Sequence, residues 1–271
     1  LNYLLIFGKL GFPEMGIAGC ALASVLAEAA ATVYLLIVTF KNKKLKVYNL
    51  FKFLKIDFKA IYQMLDLSVF IMFQYFISIT TWFMFFVFIE RMGERELAAT
   101  NIGRSIYMIL MIPAQAISII TGTIVSNLIG AGKKNEVLSS VFRLMRMSLL
   151  FVLPFSLLAL FFPELFAVIY TNEAGLIASS LPVIRIVALS IFFFGVANVL
   201  VSAISGTGNT KISFFIEVFT LLFYISYIYL TAIVYPQEVW VVWLSEFVYW
   251  SIIGILAFFY LVKGKWYTKV I

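Results

Sequence analysis

The chain has 271 residues, of which 63% are hydrophobic and 12% are charged, and its mean hydropathy is +1.06. A soluble domain carries roughly 25% charged residues, so this composition excludes an ordinary soluble protein. A single cysteine excludes a disulfide framework, and the absence of histidine removes the commonest acid/base and metal ligand. The net charge is +7, and the lysines lie between apolar runs, as they do in the cytoplasmic loops of membrane proteins. We therefore predict an all-α integral membrane protein with no nucleic-acid partner.

The first apolar run, Leu1–Phe7, ends in a turn rich in glycine and proline at residues 8–14. Because residue 1 is not methionine and this run looks like the tail of a longer helix, we expect the chain to be part of a larger protein. A second run, Gly16–Phe40, opens with small residues that allow close helix packing in a membrane. Glu28 interrupts it, and an ionisable group at that depth is either functional or bonded to a neighbouring helix.

Residues 41–59 form the most basic segment, with seven lysines and the single acid Asp57. Its apolar residues Leu50, Phe51, Leu54 and Phe58 recur at helical spacing between the lysines. This pattern predicts a helix lying in the cytoplasmic headgroup layer, where lysines meet anionic lipids. A solvated loop is the alternative. In either case the segment links two groups of membrane helices.

Six further apolar runs are each long enough to span a bilayer, which takes about 20 residues. The predicted spans are Ile61–Ile89, Leu97–Ile129, Val137–Ile169, Leu176–Ile204, Ile212–Val234 and Val239–Val262. Because the turns between them are short, neighbours in sequence are expected to be antiparallel neighbours in a bundle. One set of loops, with the C-terminus, carries 15 Lys and Arg residues and the opposite set carries three, which predicts that the basic loops and the C-terminus are cytoplasmic.

Glu246 is the leading candidate for binding a substrate or an ion. It lies about seven residues into the last span, roughly 10 Å below the outer surface. Trp243, Tyr249 and Trp250 lie three or four residues away, on the same face of a regular helix. A carboxylate beside aromatic rings suits a lipophilic cation through charge and cation–π contact. The alternative is an aromatic belt at the membrane interface, with Glu246 paired to a neighbouring helix.

Two polar stripes on consecutive helices predict a shared cavity. Gln74, Ser78 and Thr81 lie close to one face of their span, with Trp82 beside them. The next span carries a stripe at three- and four-residue steps: Asn101, Ser105, Met108, Gln115, Gly122 and Ser126, with Arg104 near the outer end. Glu90 and Glu246 are both candidate partners of Arg104. Ordinary polar packing between helices is the alternative for any single residue of the stripes.

The remaining chemistry-bearing residues give weaker signals. Asp66 and Glu217 lie near the cytoplasmic ends of their spans, so they are expected to snorkel or to be paired. Asn198 and Arg185 are minor cavity candidates, and Gly-x-Gly at 206–208 indicates a turn. The sequence contains no nucleophile arrangement, phosphate loop or metal-ligand cluster. We therefore predict no enzyme activity, no metal and no cofactor.

Five short motifs carry a resemblance to a known family. They are GFPEMGIAG at 11–19, LAATNI at 97–102, MIP at 111–113, VSNLIGAGK at 125–133 and SGTGNT at 205–210. In their order and spacing over nearly the whole chain they resemble the multidrug and toxic compound extrusion (MATE) family of cation-coupled exporters.

The resemblance implies one six-helix lobe of a twelve-helix, two-lobe transporter plus the end of the other lobe. Residues 1–40 would hold the tail of helix 5 and helix 6, residues 41–59 the linker, and residues 60–271 helices 7–12. It further implies a plasma-membrane (inner-membrane) antiporter, monomeric when full length, that exports organic cations or amphipathic drugs by alternating access in exchange for protons or sodium ions.

Two of the chain's departures from the family pattern concern acidic residues within the spans. Part of the family carries an acidic residue in helix 7, near Ser78, and another in helix 10, near Phe194, and neither position is acidic here. The coupling carboxylate is therefore expected either in the absent half or at a different position. The alternatives are a flippase for a lipid-linked saccharide, from the same superfamily, and a membrane-embedded enzyme.

Overall fold

The computed structural model describes residues 1–42, 57–264 and 266, which belong to two compact units, Leu1–Phe58 and Lys59–Ile271. Throughout the described ranges the secondary structure is helical, without strands. Seven of these helices are long and apolar enough to cross a membrane. A helix satisfies its own backbone hydrogen bonds, which the lipid interior requires. The predicted polytopic helical membrane protein is therefore confirmed.

The first unit contains two helices, α1 (Asn2–Phe7) and α2 (Gly16–Lys41). Gly8, in the left-handed conformation with φ 62°, ends α1. Gly19 lies so close to α1 that a Cβ there would overlap the carbonyl group of Leu5, so the small residues of this run do allow close approach. Glu28 is exposed on α2. The predicted interfacial helix at 41–59 lies mostly outside the described residues.

The second unit contains eight described α-helices. They are α3 (Phe58–Glu90, of which Phe58 belongs to the first unit), α4 (Glu94–Gly130), α5 (Val137–Phe161), α6 (Pro163–Ala167), α7 (Ala174–Gly206), α8 (Thr210–Tyr229), α9 (Val239–Trp243) and α10 (Ser245–Lys263). A 3-10 turn, Lys134–Glu136, precedes α5, and a π-helical segment, Leu230–Val234, follows α8. Between α4 and the 3-10 turn, Gly132 takes a φ of 74° that permits the tight reversal.

Helix α7 is the central element of this unit and packs against α4, α5 and α10. Short side chains join it to α4. Ser118 Oγ donates to the Asn198 carbonyl oxygen at 2.8 Å, and Ser202 Oγ donates to the Ser118 carbonyl oxygen at 2.6 Å. Farther along, Ser126 Oγ donates to the Gly206 carbonyl oxygen at 3.0 Å. Hydroxyls and glycines thus hold α4 and α7 together where lipid supplies no hydrophobic drive.

Two predicted spans are divided in the structure. The Val137–Ile169 span ends as a helix at Phe161, because Pro163 cannot continue it and instead begins α6. The Val239–Val262 span is interrupted at Leu244, whose N–H bonds the Val241 carbonyl oxygen at 3.1 Å. This interruption lies two residues before Glu246 and separates α9 from α10.

Candidate substrate and ion site

Glu246, in the first turn of α10, is 4% exposed and is held by neutral donors from three helices. Tyr107 OH of α4 donates to Oε2 at 2.7 Å, and Tyr224 OH of α8 donates to Oε1 at 3.1 Å. Trp250 Nε1 donates to Oε2 at 3.0 Å from one turn farther along α10. Among the described residues, no Lys or Arg forms an ion pair with this carboxylate. Within this part of the chain, its charge therefore has no local counter-ion.

Glu217, on α8, is a second buried carboxylate and is 2% exposed. Its Oε1 accepts hydrogen bonds from Ser78 Oγ of α3 and from Tyr249 OH of α10, the latter at 2.6 Å. Gln74 Nε2 faces Oε2 at 3.4 Å, and Ser213 Oγ donates to Gln74 Oε1 at 3.2 Å. The expectation was that Glu217 snorkels or is paired; it does not snorkel, because α3 and α10 cover it, and the partners described for its carboxylate are neutral hydrogen-bond donors. Asp66, in contrast, does pair, with Lys211 at 3.6 Å.

Two cavities adjoin these carboxylates and share part of their lining. The aromatic cavity, of about 600 Å³, is lined by Trp82, Tyr107, Met108, Tyr224 and Glu246 among others. The polar cavity, of about 450 Å³, is lined by Gln74, Ser118, Asn198, Ser202, Ser205 and Glu217 among others. Both include Ser78, Met111, Gln115, Tyr249 and Trp250. Each cavity thus has one charged residue in its described lining, and the two have a common wall.

Comparison with known proteins gives the family. The MatE family model matches residues 70–230, which is more than half of the chain. The chain belongs to the MatE family. It is 27% identical over 278 aligned residues to the probable multidrug resistance protein NorM of Thermotoga maritima, covering 100% of this chain and 58% of that relative. A probable NorM of a Synechococcus species is 27% identical over 221 residues, 78% of this chain and 47% of the relative. The MatE chain thus spans about half the length of these curated relatives.

Solved structures show the same fold. An outward-facing multidrug resistance MATE family transporter superposes with a TM-score of 0.79 at 14% identity, covering 97% of this chain and 59% of that one. A MOP superfamily transporter from Pyrococcus furiosus, described as having a binding pocket of reverse polarity, gives a TM-score of 0.69 at 14% identity. That match covers 77% of this chain and 46% of the other.

The structure brings most of the predicted site residues of this MatE chain to the two cavities. Six predicted residues line the aromatic cavity: Glu246, Tyr249, Trp250, Ser78, Trp82 and Gln115. Gln74 lines the polar cavity instead.

The other three predicted residues lie outside the lining of both cavities. Trp243 is fully buried, donates from Nε1 to Thr100 Oγ1 at 3.3 Å, and packs edge-on against Phe85. The Arg104 guanidinium carbon lies 5.1 Å from the centroid of the Phe86 ring, and within the described residues Arg104 pairs with neither Glu90 nor Glu246. Asn101 is half-buried on α4.

The polar stripe of α4 divides into three parts with different contacts. Its middle, at Met108 and Gln115, lines the aromatic cavity. Its C-terminal residues Gly122 and Ser126 contact α7, so ordinary helix packing accounts for them. Ser105 Oγ donates to the Asn101 carbonyl oxygen of its own helix at 2.9 Å.

Sequence reasoning missed three groups of this MatE site: Tyr107, Glu217 and Tyr224. Ser213, Glu217, Thr220 and Tyr224 follow three- and four-residue steps on α8, and all four are buried. That spacing was a usable signal for a polar face on α8. Tyr107 gives no such signal, because it lies among apolar residues of α4 and only the fold brings it to Glu246.

Proposed function

We propose that this chain is the carboxy-terminal part of an exporter of organic cations or amphipathic drugs, driven by protons or sodium ions through alternating access. The single observation that carries the proposal is Glu246, a buried carboxylate facing the aromatic cavity with no cationic partner among the described residues. Family membership supports a transporter rather than an enzyme. Transporters of such two-bundle design bind substrate near the membrane midplane and rock one bundle against the other.

The aromatic cavity suits a flat lipophilic cation in size and in charge. Its volume of about 600 Å³ lies within the roughly 300–1,000 Å³ of small-molecule sites. Glu246 supplies the negative charge, and Trp82, Tyr249 and Trp250 supply aromatic faces or edges around it. Cation–π contacts are worth up to about 2 kcal/mol each where water is excluded. A lipophilic cation would gain both kinds of contact at once.

A lipid-linked saccharide is a weaker candidate for the cargo. Binding a pyrophosphate group requires cationic residues in the cavity. Arg104 stacks over Phe86, Arg185 is exposed on α7, and neither lines the two cavities. The described lining is acidic and neutral, which favours a cationic cargo.

We further propose that the full-length protein is a monomer in the plasma membrane, or inner membrane, with its C-terminus in the cytoplasm. The orientation is supported by the distribution of charge, with 15 Lys and Arg residues on one set of loops and at the C-terminus and three on the other. Positive residues near span ends set orientation during insertion.

The experiment is a drug-resistance assay with the full-length protein in a strain lacking its own exporters. We expect Glu246→Gln to abolish resistance to ethidium while the amount of membrane protein stays unchanged. Glu238→Gln is the matched control, because Glu238 is exposed before α9 and the hydrogen bond described for its side chain comes from Trp240 Nε1, at 2.8 Å. Wild-type resistance in the Glu246→Gln strain would contradict the proposal.

A further inference from the structure

Glu217 is a buried carboxylate that the proposed substrate site does not use. It faces the polar cavity, whereas Glu246 faces the aromatic cavity. A carboxylate this deep in a membrane bundle is costly unless it has a role or a partner. We propose, building on the exporter function above, that Glu217 is the proton-binding site of this chain and that its proton is released when an organic cation binds beside Glu246.

The hydrogen bonds around Glu217 accommodate both a charged and a neutral carboxyl group. The Ser78 hydroxyl has one hydrogen but two acceptors within reach. They are Glu217 Oε1 and the backbone carbonyl oxygen of Gln74, the latter at 2.9 Å. When Glu217 is ionised, Ser78 donates to it. When Glu217 is protonated, it donates to Ser78 Oγ, and Ser78 donates to the backbone carbonyl oxygen of Gln74. A proton can therefore be bound or lost with only hydrogen atoms moving.

The same contacts favour a proton over a sodium ion. Metal cations such as sodium need several oxygen lone pairs directed at one point. Here Tyr249 OH and Gln74 Nε2 direct hydrogens at the carboxylate. The side-chain oxygen of Gln74, Oε1, accepts from Ser213 Oγ and does not face Glu217. A metal ion would require these donors to turn away, whereas a proton requires no such rearrangement.

The two carboxylates are joined through the wall that the cavities share. Tyr249 donates to Glu217, and its ring centroid lies 5.6 Å from that of Tyr224, which donates to Glu246. The Trp250 ring, 4.5 Å from the Tyr249 ring, also donates to Glu246. A cation at Glu246 therefore acts on Glu217 across packed aromatic side chains, where charge interactions are stronger than in solution.

Among the described residues, few other charged and titratable groups lie near Glu217, and α3 contributes Tyr75 to the polar cavity. On its own helix, Lys211 is exposed and paired with Asp66 of α3, and Tyr224 bonds Glu246. On α10, Tyr249 donates to Glu217, and Glu246 lies about one turn before Tyr249. The described residues that α4 and α7 contribute to the polar cavity are neutral, among them Gln115, Ser118 and Asn198.

The sign of the coupling follows from charge. An ionised Glu217 adds a second negative charge near the aromatic cavity and strengthens cation binding, whereas a protonated Glu217 weakens it. A proton entering at Glu217 therefore favours release of the cation, as antiport requires. By reciprocity, cation binding favours loss of the proton. We expect the cation to bind about tenfold more weakly when Glu217 is neutral, which is within the usual range for two coupled sites.

The test measures ethidium binding and proton release together, using the full-length protein in detergent and weak buffer. Ethidium fluorescence reports binding, and a pH-indicator dye reports protons. We expect the wild type to bind and to release protons, and Glu217→Gln to bind about tenfold more weakly without releasing them. Asp66→Asn is the matched control, because its partly exposed ion pair lies on the same pair of helices, and it should behave as the wild type.

A second variant keeps the test decisive if Glu217→Gln is poorly folded. Gln74→Leu removes a donor to the ionised form and should move the pH midpoint of proton release to a more alkaline value. Proton release by Glu217→Gln equal to that of the wild type would overturn the proposal, as would a sodium-dependent affinity with no proton release. Loss of ethidium binding in Glu246→Gln tests the exporter function separately, so the two failures are distinguishable.

Discussion

Replacing Gly206 with alanine is expected to destabilise the contact between α4 and α7. A Cβ at this position would lie 2.7 Å from the Gly122 carbonyl oxygen, 3.0 Å from Val125 Cβ and 3.1 Å from Gly122 Cα. Two of these atoms belong to the backbone, so a change of rotamer cannot relieve the overlap. The two helices must therefore move apart. Gly206 is thus a packing residue as well as part of the predicted turn.

The size of the effect can be worked out from these contacts. Forcing an extra methyl group into a well-packed interface costs about 1–3 kcal/mol. The separation also weakens the hydrogen bond from Ser126 Oγ to the Gly206 carbonyl oxygen. Hydrogen bonds between membrane helices are worth about 0.6 kcal/mol on average. We therefore expect the free energy of unfolding to fall by about 2–3 kcal/mol.

The assay is reversible unfolding of the full-length protein in mixed micelles with increasing SDS, followed by tryptophan fluorescence. Gly130→Ala is the matched control, because Gly130 is also the last residue of its helix and no atom lies within 4 Å of a Cβ built there. The control should stay within about 0.5 kcal/mol of the wild type. If Gly206→Ala unfolds at the same SDS fraction as Gly130→Ala, the reasoning from close helix approach is refuted.

Three further predictions concern side chains at or near the cavities. Trp82→Ala should weaken ethidium binding about fivefold in a fluorescence titration, since one aromatic contact worth about 1 kcal/mol is lost, and an unchanged affinity would remove Trp82 from the site. Arg104→Gln should leave ethidium resistance at the wild-type level, because the guanidinium packs on Phe86 outside both cavities, and sensitive cells would contradict this. Lys211→Ala should cost less than about 1 kcal/mol in SDS unfolding, because its ion pair with Asp66 is more than half exposed.

The membrane spans and their order could be predicted because they depend on local sequence. A run of apolar residues long enough to cross the bilayer forms a helix wherever it occurs, and short turns leave few ways to connect the helices. The breaks inside two spans were not predicted. Pro163 was a visible signal for the first. The second break lies at Leu244, and leucine is a common residue in helices, so its residue type is no signal of a break.

The site could be predicted only where its residues share a regular helix. Tyr249 and Trp250 follow Glu246 by three and four residues within α10, and all three line the aromatic cavity. Trp243 has equivalent spacing on the other side, but the interruption at Leu244 separates it from α10, and it packs in the core.

Contacts between distant helices could not be predicted from spacing. Tyr107 precedes Glu246 by 139 residues, and nothing in the α4 sequence indicates that its hydroxyl meets a carboxylate. Glu217 looked interfacial because it closely follows Lys211, which lies in one of the loops predicted to be cytoplasmic. Its burial depends on Ser78 and Tyr249, which come from two other helices.

The position of α7 has a consequence for how the protein is made. It is the most apolar of the candidate spans in the described chain, with a mean hydropathy of 2.3, and it also has the largest buried share. A segment this apolar partitions into the bilayer without help from its neighbours. We therefore expect α7 to insert on its own at the translocon and to be enclosed by α8–α10 only as they follow. Glycosylation mapping of α7 in a carrier protein would reveal whether it inserts alone.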